Sequence, residues 1–329
     1  MSAVSKISTR FLALIIVIFL ILGAVVVFFS CDRPAFAGGD GYLKIENIKG
    51  KALEPSLSLL DGLGISYEIV PVTPARPNVV LDVTFDGFEE GGVLNIKENT
   101  TVKIRANVVS PDKIVYLTFD DGPTRDNTLE ILDILDEYGA VATFFVLGNR
   151  ITQYSDRISA IYERGHEIGC HSYSHDLDSI YASTSALLSE IERFEQDLES
   201  VLGKEVCDGL PKLFRFPGGS STNGYLSSSE ADQYAAAVRG KGYRIYDWTA
   251  LTNDADDSYR HSGESDKDYY IRSLKSGISK AKENGEPLIV LMHDKGAMKK
   301  CLRNVLDLLA AEGYAFDLIS NCPEYTFVD

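Results

Sequence analysis

The sequence of 329 residues is poor in positive charge. Its 32 Lys and Arg stand against 48 Asp and Glu, which gives a formal net charge of −16. This excess of negative charge argues against nucleic acid or an anionic membrane surface as the binding partner, because both would repel it. A neutral glycan is compatible with it. Cysteine is also sparse, and none of the five is spaced as in a zinc ribbon. Pairing among four of them stays open, with Cys301–Cys322 as one candidate.

Long apolar runs are absent after residue 29, so residues 11–29 are the one candidate for crossing a membrane. As a helix, this run of about 19 residues would span roughly 29 Å. Lys6 and Arg10 precede it, which predicts a cytoplasmic tail at residues 1–10. Two alternatives stay open: an uncleaved anchor in the cell membrane, or a signal sequence cut after an A-x-A pattern. Both predict that the chain beyond a linker at residues 30–41 lies outside the membrane.

Gly and Pro residues bound a small unit at residues 42–110. Helical spacing of apolar residues predicts a helix over 53–63, and alternation predicts strands over 65–70, 79–85 and 101–109. This small α+β unit, a helix followed by three strands, resembles the PASTA domain, an extracellular module found on cell-wall enzymes and kinases. The resemblance implies a wall-directed module. A stalk that only lifts the next domain off the membrane is the alternative.

Five short polar clusters follow one another within the second domain, at residues 111–329. They are TFDDG at 118–122, HSYSH at 171–175, RFPGG at 215–219, DW at 247–248 and LMHD at 291–294. The apolar, β-branched run before the first cluster predicts a buried strand that ends at Asp120 and Asp121. Folds of the α/β class place their chemistry at the carboxyl ends of strands. Together the clusters supply what a hydrolytic metal site needs, namely metal ligands, a base and an acid.

The two histidines of the second cluster point to a metal ion. His171 and His175 are four residues apart, which predicts that both lie on one face of a helical turn and reach one ion. A carboxylate from Asp120 or Asp121 would complete a set of two histidines and one carboxylate, with positions open for water. Adjacent residues at a strand end point in different directions. One aspartate can therefore bind the metal while the other acts as a base.

These clusters, their order and the segment AVATFFV at 140–146 resemble the polysaccharide deacetylases of the NodB-homology type, carbohydrate esterase family four. The resemblance covers residues 112–329. It implies a distorted (β/α) barrel and one divalent ion, often zinc, with cobalt or manganese as alternatives. It implies that Asp121, His171 and His175 are the metal ligands.

The resemblance also implies the catalytic roles. Asp120 would be the general base, and Arg215 would pair with it and hold it. His293 would be the general acid, with Asp247 tuning it. The residues implied to contact the substrate are Gly218, through a backbone N–H to the oxyanion, and Trp248 and Leu291, around the acetyl methyl group.

Some residues depart from the family pattern or invite a structural explanation. Cys170 stands where many relatives have asparagine, and its thiol is either buried or a stray metal ligand. The stretch at 249–257 is unusually acidic and borders the predicted site. His166 is expected to be structural. A helical run of glutamates is expected to form a solvated face; it comprises Glu190, Glu192, Glu195 and Glu199.

The sequence thus predicts a metal-dependent hydrolase that removes N-acetyl groups from an extracellular N-acetylated glycan. Peptidoglycan N-acetylglucosamine is the expected substrate. N-acetylmuramic acid, chitin-like or exopolysaccharide polymers of N-acetylglucosamine, and O-acetyl esters on xylan stay open. A wall glycan-binding protein without catalysis is the alternative of another class, and the intact acidic and histidine positions argue against it. No protein partner is inferred.

Overall fold

The computed structural model describes residues 42–71, 80–97, 100–106, 109–222 and 225–327. They fall into two compact units, divided between residues 108 and 109. Each unit is described by itself. The predicted tail, apolar segment and linker lie outside the described residues. Within those residues, no helix combines the length and the hydropathy needed to cross a bilayer.

Within its described residues, the first unit contains two three-stranded sheets and one helix. Its elements in chain order are β1 (Tyr42–Glu46), α1 (Leu53–Gly62), β2 (Tyr67–Pro71), β3 (Val80–Thr84), β4 (Gly87–Glu90), β5 (Val93–Lys97) and β6 (Val102–Ala106). One sheet has the order β1-β5-β4 and is antiparallel. The other has the order β2-β6-β3, with β2 parallel and β3 antiparallel to β6. The alternating pattern of β6 puts Val102, Ile104 and Ala106 in the core.

The predicted helix and its three following strands match α1, β2, β3 and β6 in position. The prediction is incomplete, however, because the unit also contains β1 and the hairpin of β4 and β5. The turn of that hairpin is Gly91–Gly92, where both residues have positive φ. The arrangement therefore differs from the PASTA-like pattern of one helix and three strands.

The second unit is built on one sheet flanked by helices. Its strands are β7 (Ile114–Gly122), β8 (Thr143–Val146), β9 (Glu167–Cys170), β10 (Leu213–Phe214), β11 (Arg244–Ile245), β12 (Ala250–Leu251), β13 (Leu288–His293) and β14 (Ala315–Asp317). Its helices are α2 (Thr128–Glu137), α3 (Gly148–Ile151), α4 (Ser155–Glu163), α5 (Leu177–Ile180), α6 (Thr184–Leu202), α7 (Lys204–Gly209), α8 (Ser228–Gly240), α9 (Asp266–Asn284) and α10 (Gly296–Ala311).

All strand pairs of this sheet are parallel, in the order β11-β10-β9-β8-β7-β13-β12, and β14 also pairs with β7. The near-continuous apolar runs of β7 and β13 suit strands that are covered on both faces. The predicted α/β class is confirmed. The sheet is a curled half-barrel, and its end strands β11 and β12 are not paired with each other in the part of the chain that the structure describes.

The four cysteines within the described ranges are free thiols. Cys301 lies on α10 in the main core, whereas Cys322 belongs to a separate apolar cluster with Tyr116 and Tyr246. The Cys301–Cys322 pairing that the sequence left open is therefore not formed. Cys170 is fully buried in the main core, so its thiol packs as an apolar group.

Because the strands are parallel, their carboxyl ends meet at one edge of the sheet. Four of the five polar clusters begin there: β7 contains Asp120 and Asp121, His171 follows β9, Arg215 follows β10, and β13 ends at His293. The fold therefore gathers at one edge side chains that are far apart in the sequence.

Candidate active site

The two aspartates of the first cluster face the same site because the strand is distorted between them. Asp120 lies beside His293 on β13 and Phe145 on β8. The register of β7 shifts between Asp120 and Gly122, and the intervening Asp121 has a φ of 68°. This bulge turns Asp121 out of the strand alternation. Its side chain thereby reaches the same histidine as Asp120, with both carboxylates 3.7 Å from His171 Nε2.

His171 and His175 approach each other through a loop, not a helix. Residues 171–176 are not helical, and both Ser172 and His175 have positive φ. The prediction of a helical turn is therefore wrong. The four-residue spacing nevertheless predicted correctly that the two imidazole rings lie close together, since their centroids are 5.2 Å apart. The Ser172 hydroxyl accepts a hydrogen bond from the His175 N–H at 3.1 Å, which closes the loop in place of helical bonding.

Asp121, His171 and His175 form a cluster that can hold a metal ion. One ligand atom from each lies within 4.8 Å of the others. Asp121 Oδ1 is 3.7 Å from His171 Nε2 and 3.6 Å from His175 Nε2. This oxygen is buried and has no hydrogen-bond partner among the described residues. A buried acceptor without a partner is costly, so its position between two imidazole nitrogens fits a cation.

The ring of His171 is oriented for that purpose. Its Nδ1–H donates to the carbonyl oxygen of Arg215 at 2.8 Å, which leaves the lone pair of Nε2 facing the cluster. Burial lowers the pKa of His171, despite the nearby charges of Asp120 and Asp121. Burial alone would raise the pKa of Asp121, but the histidines and Lys295 outweigh it and lower that pKa. Neutral imidazole and ionised carboxylate are the forms that bind metal.

Arg215 forms the predicted pair with Asp120. The guanidinium is fully buried, and Nη1 donates to Asp120 Oδ1 at 2.9 Å and to Thr118 Oγ1 at 2.7 Å. Nε and Nη2 donate to the carbonyl oxygens of Tyr246 and Asp247 at 2.8 and 2.9 Å. These bonds fix the guanidinium and so hold one carboxylate oxygen of Asp120. The other oxygen, Oδ2, remains on the side of His171.

The carboxylate that tunes His293 is Asp254, and the prediction of Asp247 is wrong. His293 Nδ1–H donates to Asp254 Oδ1 at 3.0 Å, and its backbone N–H donates to Oδ2 at 2.9 Å. Thr252 Oγ1 donates to the same carboxylate at 3.0 Å. Burial alone would lower the pKa of His293, but the hydrogen bond and charge of Asp254 outweigh it and raise that pKa. This arrangement favours a charged imidazole, as a general acid requires.

Asp247 instead organises the loop of the third cluster. Its buried carboxylate accepts from the Ser220 N–H at 2.8 Å, from the Ser220 hydroxyl and from the Phe327 N–H at 2.6 Å. Burial raises the pKa of Asp247. Gly218 precedes this anchor with a φ of 83°, and its N–H makes no hydrogen bond within the described ranges. It remains the predicted oxyanion donor.

The two apolar residues predicted at the pocket lie close to these groups. Leu291 is buried on β13, two residues before His293, so both side chains lie on the same face of the sheet. The Trp248 ring lies 5.8 Å from the Arg215 guanidinium carbon and packs edge-to-face on Phe327 at 5.2 Å.

The sequence reasoning missed Glu190, which was expected on a solvated face. Glu190 is buried on α6, and its Oε2 accepts from the N–H groups of Tyr173 and Ser174 at 2.9 and 2.7 Å. It also accepts from the Ser174 hydroxyl at 2.9 Å. These bonds hold the loop between His171 and His175. No local pattern distinguishes Glu190 from its neighbours. Asp254 lies in the acidic stretch at 249–257, which the sequence placed beside the site without assigning this residue a role.

His166 has the structural environment that was expected. Its Nδ1 accepts from the Ala142 N–H at 3.1 Å, and its ring packs edge-to-face on Phe144 at 5.6 Å between centroids. Burial lowers the pKa of His166 to about 4. The ring is therefore neutral near pH 7 and forms part of the packed interior.

Known proteins match this unit. The family model described as "Polysaccharide deacetylase" matches residues 107–237. A peptidoglycan-N-acetylglucosamine deacetylase of Bacillus cereus is 31% identical over 225 residues, which cover 66% of this chain and 92% of the relative. A peptidoglycan-N-acetylmuramic acid deacetylase of Bacillus subtilis is 35% identical over 129 residues, covering 39% of this chain and 26% of the relative.

A solved structure also matches the second unit. The catalytic domain of a peptidoglycan N-acetylglucosamine deacetylase from Eubacterium rectale superimposes with a TM-score of 0.55 at 28% identity. The match covers 67% of this chain and 96% of that domain.

Proposed function

Because the chain belongs to the polysaccharide deacetylase family, we propose that it removes N-acetyl groups from a bacterial cell-wall glycan, with peptidoglycan N-acetylglucosamine as the substrate. The peptidoglycan-acting relatives support this substrate class. The observation that carries the proposal is the juxtaposition, at one sheet edge, of a held carboxylate, a ligand triad and a histidine hydrogen-bonded to a buried aspartate.

We propose that Asp121, His171 and His175 hold one divalent ion, and that zinc is the native metal. Two imidazoles and one carboxylate are a donor set that zinc accepts readily, and cobalt or manganese are the alternatives. A divalent ion bound there would lower the pKa of a water molecule and polarise the acetamide carbonyl.

Two residues of the site carry out the proton transfers, one as a base and the other as an acid. Asp120 accepts a proton from the attacking water, and Arg215 holds its carboxylate in the orientation for this step. The Gly218 N–H stabilises the negative charge that develops on the acetamide oxygen. His293 is left with Nε2 facing the site, because Nδ1–H is bonded to Asp254. Nε2–H gives its proton to the amine as the amine leaves.

Acetate release tests this proposal. The full chain, purified in mild detergent, is incubated with peptidoglycan, with chitin oligomers and with acetylated xylan, each with added zinc or with a chelator. We expect zinc-dependent release from peptidoglycan, lost in Asp120→Asn. Asp126→Asn is the matched control, since that carboxylate is 83% exposed, and it should keep full activity.

The other outcomes redirect or refute the proposal. Acetate release from chitin or xylan alone would support the proposed reaction but identify a different substrate. Zinc binding without release from any polymer would favour a glycan-binding role. Mass spectrometry of digested peptidoglycan then identifies whether N-acetylglucosamine or N-acetylmuramic acid has lost its acetyl group.

We propose further that residues 11–29 attach the chain to the cell membrane, with the catalytic unit outside. The support is the length of the apolar run and the positive residues before it. Fractionation of cells tests this placement. A membrane-bound chain that external protease degrades is expected, whereas a shortened protein in the medium would indicate cleavage and secretion.

A further inference from the structure

The segment near the C-terminus is tied into the edge of the proposed active site. Tyr325 forms a parallel bridge with Tyr246, and its carbonyl accepts from the Asp247 N–H at 2.7 Å. Two residues later, the Phe327 N–H donates to Asp247 Oδ2 at 2.6 Å and to Ser220 Oγ at 2.8 Å. The backbone at Phe327 is thus fixed to two residues that flank the Gly218–Gly219 turn.

The side chain at this anchored position remains in solvent. Phe327 is 46% exposed, although its ring packs edge-to-face on Trp248 with centroids 5.2 Å apart and an interplanar angle of 87°. Tyr325 lies on another side at 6.3 Å. The side chain of phenylalanine has no atom that can form a hydrogen bond with water. Because its backbone N–H is hydrogen-bonded and its ring packs on Trp248, Phe327 presents a partly exposed apolar surface that a ligand could cover.

Both rings lie against the turn that carries the predicted oxyanion donor. A Cβ atom added to Gly219 would lie 3.1 Å from Trp248 Cη2 and 3.3 Å from Phe327 Cε2. Gly219 has a φ of 84°, so the absence of a side chain allows both the turn and the close approach of the rings. Trp248 continues towards Arg215, which holds Asp120. The aromatic pair therefore lies beside the oxyanion turn and next to the residue that holds Asp120.

We propose that Phe327, supported by Trp248, forms a stacking platform for the sugar that neighbours the one losing its acetyl group. The inference rests on the proposed function, because it assigns the platform to that glycan. A pyranose ring presents an apolar C–H face that matches an aromatic surface, while its hydroxyl groups stay in water. A polymeric substrate extends beyond the reacting sugar, and its next ring is the occupant that this position fits.

The expected effect is on the preference for longer substrates. Covering part of one aromatic ring corresponds to about tenfold in affinity, equivalent to ~1.4 kcal/mol. In the full chain in detergent, Phe327→Ala and Phe327→Leu should each lower the ratio of kcat/KM for a pentamer to that for a dimer of N-acetylglucosamine about tenfold, through KM. Phe327→Tyr should retain the ratio. Leucine keeps an apolar contact with Trp248 but lacks a ring, so it separates stacking from packing. Tyr162→Ala is the control, since Tyr162 is an exposed aromatic residue on α4 that the proposed site does not include.

Binding of the pentamer is measured in parallel, so that a failure of the stacking platform can be told apart from a failure of the proposed deacetylation. Fluorescence of Trp248, the one tryptophan of the chain, follows titration with the pentamer. Phe327→Leu should weaken binding about tenfold. No acetate release by the unchanged protein would refute the proposed function, whereas the binding titration would still decide on the platform. The platform proposal would be overturned if Phe327→Leu bound the pentamer as tightly as the unchanged protein does. Equal losses of kcat/KM on dimer and pentamer would also overturn it.

Discussion

Replacing Arg215 by methionine should destabilise the second unit strongly, because Arg215 is the buried partner of Asp120. The guanidinium is fully buried and donates four hydrogen bonds, to Thr118, Asp120, Tyr246 and Asp247. Methionine has a similar unbranched stem but no donor. The change therefore leaves the Asp120 carboxylate buried without its cation.

Breaking a buried pair on one side costs about 3–5 kcal/mol, which is a large part of the ~5–15 kcal/mol that stabilises a typical domain. The same change in an Asp120→Asn background should cost less, because no carboxylate is left without its partner. We expect a coupling free energy of about 2–3 kcal/mol between the two positions.

Urea unfolding followed by tryptophan fluorescence measures these differences. The chain has one tryptophan, Trp248, and it lies in the second unit. The transition therefore reports on that unit alone. Arg303→Met is the matched control, since its pair with Glu137 is half exposed on both sides, and it should cost less than ~1 kcal/mol. A cost below ~1 kcal/mol for Arg215→Met, or additivity with Asp120→Asn, would refute the reasoning.

Three further predictions follow from single residues. Burial lowers the pKa of His166 to about 4, below the ~6.5 of a histidine in an unfolded chain. The free energy of unfolding should therefore be unaffected by this residue above pH ~6.5 and fall by roughly 3 kcal/mol as the pH drops towards 4. In urea titrations across this range, His166→Gln should flatten that dependence while keeping an acceptor for the Ala142 N–H; an unchanged slope would count against the assignment. Glu190→Leu removes the acceptor of the metal-ligand loop and should weaken metal binding about 10–100-fold in a competition with a coloured chelator, whereas the exposed Glu192→Leu should not. Asp254→Asn removes the charge that raises the pKa of His293, so the alkaline limb of the pH–rate profile should move to lower pH and kcat should fall about a hundredfold; an unmoved limb would argue against this pair.

Residues at strand ends could be predicted from the sequence because their position depends on local patterns. The apolar run of β7 indicated where Asp120 and Asp121 lie, and parallel strand order then brought His171 and His293 to the same edge. The resemblance to a family supplied the Arg215 pair, which the spacing alone does not identify.

Contacts between segments that are distant in the sequence could not be predicted from such local patterns. The partner of His293 is 39 residues away, and choosing Asp254 over Asp247 depends on how the loop after β12 returns to β13. Burial of Glu190 depends on how α6 packs beneath the histidine loop, and its neighbours Glu192 and Glu195 bind surface lysines instead. The left-handed backbone of Ser172 and His175 likewise replaced a helix by a loop closed through a serine hydroxyl.

The measurement that tests the central claim most directly is a metal titration coupled to acetate release. The full chain is stripped with a chelator and titrated with zinc while bound metal and released acetate are followed together. The account predicts that activity returns with one equivalent of metal, and that Asp121→Asn neither binds that equivalent tightly nor recovers activity. Full acetate release by the metal-free chain, or recovery of Asp121→Asn at one equivalent, would contradict it.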